Sequence, residues 1–265
     1  MPARVARHDE QALVDDLGQA LERDEFRLEY QPVVRLGGAA VVGAEALIRW
    51  RHPRRGTLAP SEFLPAAERA GLIDGIGHYV LEQACRTAAS WPRLGDSSPQ
   101  VSVNVAPVQL MDDGAAATML NIVARTGLPP SALTLELTGS LGPSAEPIAR
   151  TLDTVREAGV RVALDDFGTA TSLRDLRRLH VDFVKLDREF VVDVDGPPEV
   201  SAFALAVLNL ADARGAEAVA KGIESREQAW RLAELGCRYG QGFFFSKPLG
   251  ATGMVAVLRK GTLRG

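Results

Sequence analysis

Asp165 and Asp166 stand side by side at the end of the apolar run V-R-V-A-L-D-D-F-G. Val160, Val162 and Leu164 read as a buried strand, and the two carboxylates sit where that strand stops. Two like charges at the edge of a core repel each other and resist desolvation. One divalent cation would relieve the conflict, and a pair of cations would use both acids.

Other polar residues recur near the C-terminal ends of apolar stretches. They are Gln31, Glu45, Asn104, Glu136, Lys185 with Asp187, Lys221 and Gln241. In a parallel barrel such ends converge on one face, where active sites are built. Glu45, Asn104, Glu136 and Asp165 form an oxygen-only set suited to Mg²⁺, Mn²⁺ or Ca²⁺ and not to zinc. Phosphate is the natural substrate of such a site. Arg49 lies four residues past Glu45, on the same strand face by period-two counting, and would grip two phosphate oxygens. Its plainer reading is a surface ion pair. A lysine at a strand end, Lys185 or Lys221, could instead form a Schiff base, but neighbouring carboxylates raise its pKa and oppose that chemistry.

The elements that must position these groups follow from hydrophobic periodicity. Residues 1–10 read as a flexible N-terminal tail and 11–265 as one domain. A helix is expected from Gln11 to Leu21. F-R-L-E-Y-Q-P-V-V and V-V-G-A-E-A-L-I-R-W read as strands joined by a short Gly-Gly turn, hence an antiparallel pair. Two helices follow, the first capped by Ser61 and the second running from about Tyr79 to Ala89. Further strands start near Val101, Leu133, Val160, Phe183, Ala216 and Tyr239. Amphipathic segments lie between them at about 114–126, 145–158, 173–179, 199–213 and 226–235. Near-continuous apolar strands alternating with helices call for a parallel sheet covered on both faces. The expected fold is α/β, a modified TIM (β/α)8-type barrel with an antiparallel strand near the N-terminus. A doubly wound open sheet is the competing topology, but no glycine-rich dinucleotide fingerprint follows an early strand.

Composition narrows the function classes. The chain has 265 residues, 46% hydrophobic and 24% charged, with a formal net charge of -4. That mild acidity gives no electrostatic case for nucleic-acid binding. The basic cluster Arg51, His52, Arg54, Arg55 reads as a solvated loop. Cys85 and Cys237 fit no metal or disulfide spacing and read as buried structural thiols. Without a signal-peptide core or a spanning apolar run, a cytoplasmic protein away from membranes is expected.

Ordered along the chain are Y-Q-P-V-V, G-A-E-A-L-I-R-W-R-H-P, F-L-P-A-A-E-R-A-G-L-I, V-S-V-N-V-A-P-V-Q-L, L-T-L-E-L-T, A-L-D-D-F-G-T, V-K-L-D-R-E-F-V and L-G-C-R-Y-G-Q-G-F-F-F-S-K-P. Together they resemble the EAL-domain family, the cyclic di-GMP phosphodiesterases of bacteria, from about residue 12 to residue 250. The resemblance implies that Glu45, Asn104, Glu136 and Asp165 bind a first metal, Mg²⁺ or Mn²⁺. Asp165 and Asp166 would share a second. Lys185 and Gln241 would orient the attacking water, and Arg49 would bind phosphate. Gln31, Arg49, Glu45 and Gln241 are then expected at the substrate. Lys185, Asp166 and Gln241 are the catalytic candidates if hydrolysis occurs. The implied reaction is metal-assisted hydrolysis of one phosphodiester bond to give pGpG.

The chain departs from the family pattern in three places. Lys221 stands where a second-metal glutamate is expected in A-K-G-I-E. A unit charge pair at ~4 Å is worth about 4 kcal/mol at an effective dielectric near 20, and against a divalent ion roughly double, so the second site should be weak. The ammonium is expected to pair with Asp166 instead. Gly139 replaces a loop-shaping glutamate. F-G-T-A-T-S-L is one residue shorter than F-G-T-G-Y-S-S-L. The favoured expectation is a cyclic di-GMP receptor or regulatory module with weak or absent hydrolysis. The alternatives are an active phosphodiesterase and a protein-interaction module that binds no nucleotide. A protein partner and a homodimer are further expectations.

Overall fold

Short apolar stretches and amphipathic segments alternate through the computed structural model, which describes residues 2–142 and 145–263. The strands are β1 (Phe26–Arg35), β2 (Ala40–His52), β3 (Gly56–Leu58), β4 (Gln100–Val105), β5 (Leu133–Leu137), β6 (Arg161–Phe167), β7 (Phe183–Leu186), β8 (Glu217–Ala220) and β9 (Tyr239–Gly240). The helices are α1 (Pro2–Ala20), α2 (Pro60–Arg69), α3 (Ile73–Ala89), α4 (Ala115–Thr126), α5 (Ala145–Glu157), α6 (Leu173–Arg178), α7 (Pro198–Ala213), α8 (Arg226–Glu234) and α9 (Ala251–Lys260).

Eight of the strands close on themselves in the order β1-β2-β4-β5-β6-β7-β8-β9, with β9 returning to β1. Neighbours from β2 to β9 run parallel. β1 runs against both of its neighbours, and β3 folds back antiparallel on the end of β2. This is the expected α/β barrel, and the open-sheet alternative fails because the sheet has no gap. The central strands are buried on both faces: every residue of the stretch L-T-L-E-L in β5 is buried, as parallel strands sheathed by helices require.

The outer face of the β1–β2 hairpin anchors the site's first strand. Phe26, Trp50 and Phe63 from α2 meet with ring centroids 5.6–5.9 Å apart, all at most 1% exposed. Burying each such side chain is worth about 1.5–3 kcal/mol. Trp50 also donates its indole N–H to Glu25 Oε2 at 2.9 Å. With alternate residues thus fixed outward, Glu45, Leu47 and Arg49 face the other way.

Several expectations need correction. The first helix begins at Pro2, ahead of the expected start at Gln11. Ser61 is not the cap of α2. Ala59 holds that position, with Pro60 first in the helix and Glu62 Oε2 accepting from the Ala59 amide at 2.7 Å. α3 starts at Ile73, about six residues before the expected Tyr79. His52 is not in a solvated loop. It is 2% exposed, stacks on Trp50 at 4.7 Å and lies 3.1 Å from Asp16 Oδ2 of α1. β1 runs opposite to the other barrel strands, so Gln31 does not reach the ligand face as a C-terminal strand end. It arrives there by pairing directly with Glu45. The two cysteines are buried as expected, and burial pushes both thiols up to about 12. No helix among the described residues is long and apolar enough to cross a membrane.

Candidate metal and nucleotide site

The barrel register stacks the polar groups. Gln31 lies opposite Glu45 on the hairpin, and Asn104 lies opposite Glu136 across β4 and β5. Asp165 is two residues beyond Ala163, which pairs with Glu136. Ligand atoms of Glu45, Glu136 and Asp165 all fall within 4.8 Å of one another, and all three residues are buried.

Asp165 and Asp166 should point to opposite faces of a regular strand. They do not, because the β6–β7 register shifts between Leu164 and Phe167 and Asp166 takes a left-handed backbone with φ 48°. A bulge of this kind re-aims side chains beside active sites, and the left-handed conformation of a non-glycine residue costs of order 1 kcal/mol. The following loop folds back to hold the bulge. The amides of Thr169, Ala170 and Thr171 all donate to the Asp166 carbonyl, at 3.2, 3.0 and 3.1 Å. Thr171 Oγ1 donates to the Asp165 carbonyl at 2.8 Å.

Two lysines bind the carboxylates together. Lys185 Nζ, on β7, donates to Glu45 Oε2 and Glu136 Oε2, each at 2.6 Å, and its side chain is 1% exposed. Lys221 Nζ, just past β8, donates to Asp165 Oδ1 at 2.7 Å and Asp166 Oδ1 at 2.5 Å. Gln241 Nε2 reaches Glu45 Oε2 at 2.6 Å, and Asn104 Nδ2 reaches Glu45 Oε1 at 2.9 Å. Four carboxylates face two ammonium groups.

Burial pushes the Glu136 carboxyl up to about 8, with the charges of Glu45 and Asp165 adding to it against the pull of Lys185. Burial acts the same way on Glu45, but Lys185, Gln241 and Lys221 outweigh it and hold that carboxyl at about 2. Burial disfavours the Lys185 ammonium, yet Glu136, Glu45 and Asp165 keep its pKa well above the ordinary lysine value. Burial and the Lys185 charge press down on Lys221, and the two aspartates again win, so its pKa rises. A Schiff-base lysine must shed its proton readily; both lysines here are held charged, which argues against that chemistry.

The structure thus gathers Glu45, Asn104, Glu136, Asp165, Asp166, Lys185, Lys221 and Gln241 into one network. Gln31 stands beside it, 4% exposed, with its amide N–H on the Ser246 carbonyl at 2.7 Å. Arg49 stands off at the rim, its Nε 2.8 Å from Glu29 Oε2. Asp187 turns away and caps a 3₁₀ turn by accepting from the Glu189 amide at 2.8 Å. Gly139 has φ 86° and no atom within 4 Å of where a Cβ would sit. Glu29 and Thr171 were missed by sequence reasoning. Glu29 carried a signal, since it lies two residues before Gln31 on the same strand face. Thr171 carried none, because its role depends on the loop closure.

The carboxylates and the Asn104 amide oxygen are hard donors that suit one divalent oxophile, and they fit such an ion at Glu45, Glu136 and Asp165. Beside them opens a cleft of about 270 Å³ whose lining includes Asp165, Asp166 and Asn104 together with apolar residues such as Ile48, Leu64, Ile73 and Ile76.

The EAL domain model matches residues 14–248. The chain belongs to the EAL family. It is 41% identical over 237 residues to an uncharacterized protein of Mycobacterium tuberculosis, covering 87% of this chain and 77% of that one. It is 37% identical over 246 residues to MucR of Pseudomonas aeruginosa, a bifunctional diguanylate cyclase/cyclic di-GMP phosphodiesterase. That match covers 92% of this chain and 36% of MucR. Among solved structures, the PaMucR phosphodiesterase in complex with c-di-GMP superposes with a TM-score of 0.84 at 36% identity, over 92% of this chain and 99% of that one. The EAL enzyme Bd1971 in its cAMP- and cyclic-di-GMP-bound form gives 0.88 at 30% identity, over 96% and 70%.

Proposed function

We propose that this EAL domain binds cyclic di-GMP at the open face of its barrel, as a receptor or regulatory module, with weak or absent hydrolysis. One divalent cation, Mg²⁺ or Mn²⁺, would sit at Glu45, Asn104, Glu136 and Asp165. When bound, it would polarise a phosphate oxygen or a water. Arg49 would hold phosphate oxygens, Gln31 and Gln241 would line the ligand, and the apolar cleft wall suits the face of a purine base.

The observation that carries the reading is the position of Lys221. Its ammonium already bridges Asp165 and Asp166, the pair a second cation would need. Two-metal hydrolysis clamps both the attacking and the leaving oxygen, and an ammonium supplies charge but no open coordination position for a water. Binding survives that loss more readily than turnover does.

A second reading, an active phosphodiesterase releasing pGpG, draws support from the 37% identity to MucR. Isothermal titration with cyclic di-GMP, with and without Mg²⁺ or Mn²⁺, combined with chromatography of the products, separates the two. Binding with little pGpG supports the proposal. Metal-dependent pGpG release abolished by Asp165→Ala establishes the second reading. No binding under any condition overturns both and favours a protein-interaction module.

A further inference from the structure

Arginine 49 has a partner that the metal cluster does not explain. On the inward face of the β1–β2 hairpin the cross-strand pairs run Gln31 opposite Glu45, Glu29 opposite Leu47 and Arg27 opposite Arg49. Two arginines directly opposite each other are unfavourable on a sheet. The ladder relieves this with two separate carboxylates. Asp24 takes Arg27 through two bonds of 2.8 Å, and Glu29 takes Arg49 Nε at 2.8 Å. Arg49 Nη1 also donates to the Ile48 carbonyl at 2.9 Å. A guanidinium is planar with five N–H donors. The Nη1–H bond to the Ile48 carbonyl, with a carboxylate oxygen 2.8 Å from Nε, restricts its plane and leaves the Nη2 side to a ligand. The Arg49 side chain is 20% exposed and that of Glu29 40%, so the pair sits toward solvent and not among the buried carboxylates.

We infer that Glu29 is a positioning residue, which holds the Arg49 guanidinium in the orientation that receives a phosphate of the ligand. This rests on the cyclic di-GMP reading above. A carboxylate so near an anionic ligand costs some repulsion, but an arginine that is pre-oriented loses less entropy for each bond it forms. The geometry places the first effect at the rim, where solvent screens it, and the second on the bond that matters.

The test is cyclic di-GMP titration of wild type, Glu29→Ala, Glu29→Gln, Arg49→Ala and the Glu29→Ala/Arg49→Ala double variant in Mg²⁺. Glutamine keeps an oxygen beside Arg49 Nε but carries no charge. The expected result is about tenfold weaker binding for Glu29→Ala. Glu29→Gln should stay within about twofold of wild type, and the double variant should be no weaker than Arg49→Ala alone, as expected for two residues acting through one contact. Unchanged or tighter binding by Glu29→Ala overturns the inference and makes Glu29 a bystander or a competitor. A second readout needs no ligand: the ¹⁵N signal of Arg49 Nε–H should be protected from exchange in wild type and Glu29→Gln and lose protection in Glu29→Ala, and equal exchange in all three overturns the inference. A wild type that binds no cyclic di-GMP removes the functional reading and this role with it. A wild type that binds, with Glu29→Ala unaffected, removes the role alone.

Discussion

Lys221 donates to Asp166 at 2.5 Å across a bulge that the strand would not need for packing alone. The consequence is a charge count. Once a cation has displaced the Glu136 proton, Glu45, Glu136, Asp165 and Asp166 against Lys185 and Lys221 leave two negative charges, the amount one divalent cation neutralises. Exchanging Lys221 for glutamate moves the balance by two more negative charges and offers an oxygen ligand to a second ion. Lys221→Glu is therefore expected to bind two equivalents of Mn²⁺ where wild type binds one, read by titration calorimetry and by spin coupling between the two ions in electron paramagnetic resonance. One equivalent in both proteins would show that the ammonium does not set the stoichiometry.

Lys185 is the more deeply committed cation, 1% exposed between Glu45 and Glu136. Removing one partner of a buried ion pair strands the other charge, which typically costs about 3–5 kcal/mol. Lys185→Ala should lose stability on that scale in urea denaturation without metal, toward its lower end because Glu136 already carries a proton near neutral pH and Glu45 is the charge left behind. Saturating Mg²⁺ should return part of the loss, since a cation can neutralise the carboxylates that the lysine leaves. A variant as stable as wild type in chelator would mean the cluster is solvated.

Much of this was legible in the chain. The β–α rhythm, the Gly-Gly hairpin and the acids at strand ends follow from periodicity and from the need to relieve clustered charge, so Glu45, Asn104, Glu136 and Asp165 could be named before any coordinates. Lys221 could be expected near Asp166. That it would also bridge Asp165 could not, because the bulge and the left-handed Asp166 arise from loop closure by three backbone amides. His52 was misplaced because a charge-rich stretch looks solvated, while its burial depends on Asp16, 36 residues away on α1. The three-residue β3 and the terminal α9 escaped notice. β3 is too short for a periodic signal, and the A-T-G-M start of α9 has a glycine inside its first turn.

Glu136 makes metal binding depend on pH. Its carboxyl is held up at about 8 against a reference of 4.5, so at neutral pH an incoming cation must displace a proton. Affinity for Mg²⁺ should rise about tenfold per pH unit and level off near pH 8. Calorimetry in buffers of different ionisation enthalpy should register close to one proton released at pH 7. The same shift fixes the sign for stability without metal. The folded chain keeps a proton that the unfolded chain gives up, so the Glu136 contribution is present below pH 4.5 and fades as pH rises through about 8. Glu45, held at about 2, contributes in the opposite sense: its share is present above 4.5 and is lost as pH falls toward 2. A metal affinity independent of pH between 6 and 8 would place Glu136 ionised in the free protein.

Gly139 bears on how much hydrolysis the domain supports. A Cβ there would meet nothing within 4 Å, so a side chain has room to start, but the backbone at φ 86° is one that L-residues adopt only under strain. Gly139→Glu should therefore cost about 1 kcal/mol in urea denaturation and leave metal stoichiometry unchanged. Combined with Lys221→Glu, it should raise pGpG release above that of either single variant if the carboxylate engages the loop that follows β5. If the double variant gains a second cation and still releases no pGpG, the obstacle lies in the shortened segment from Gly168 to Ser172. Three of its amides, those of Thr169, Ala170 and Thr171, are already committed to the Asp166 carbonyl. Insertion of one residue at Ala170 would then be the change expected to raise pGpG release.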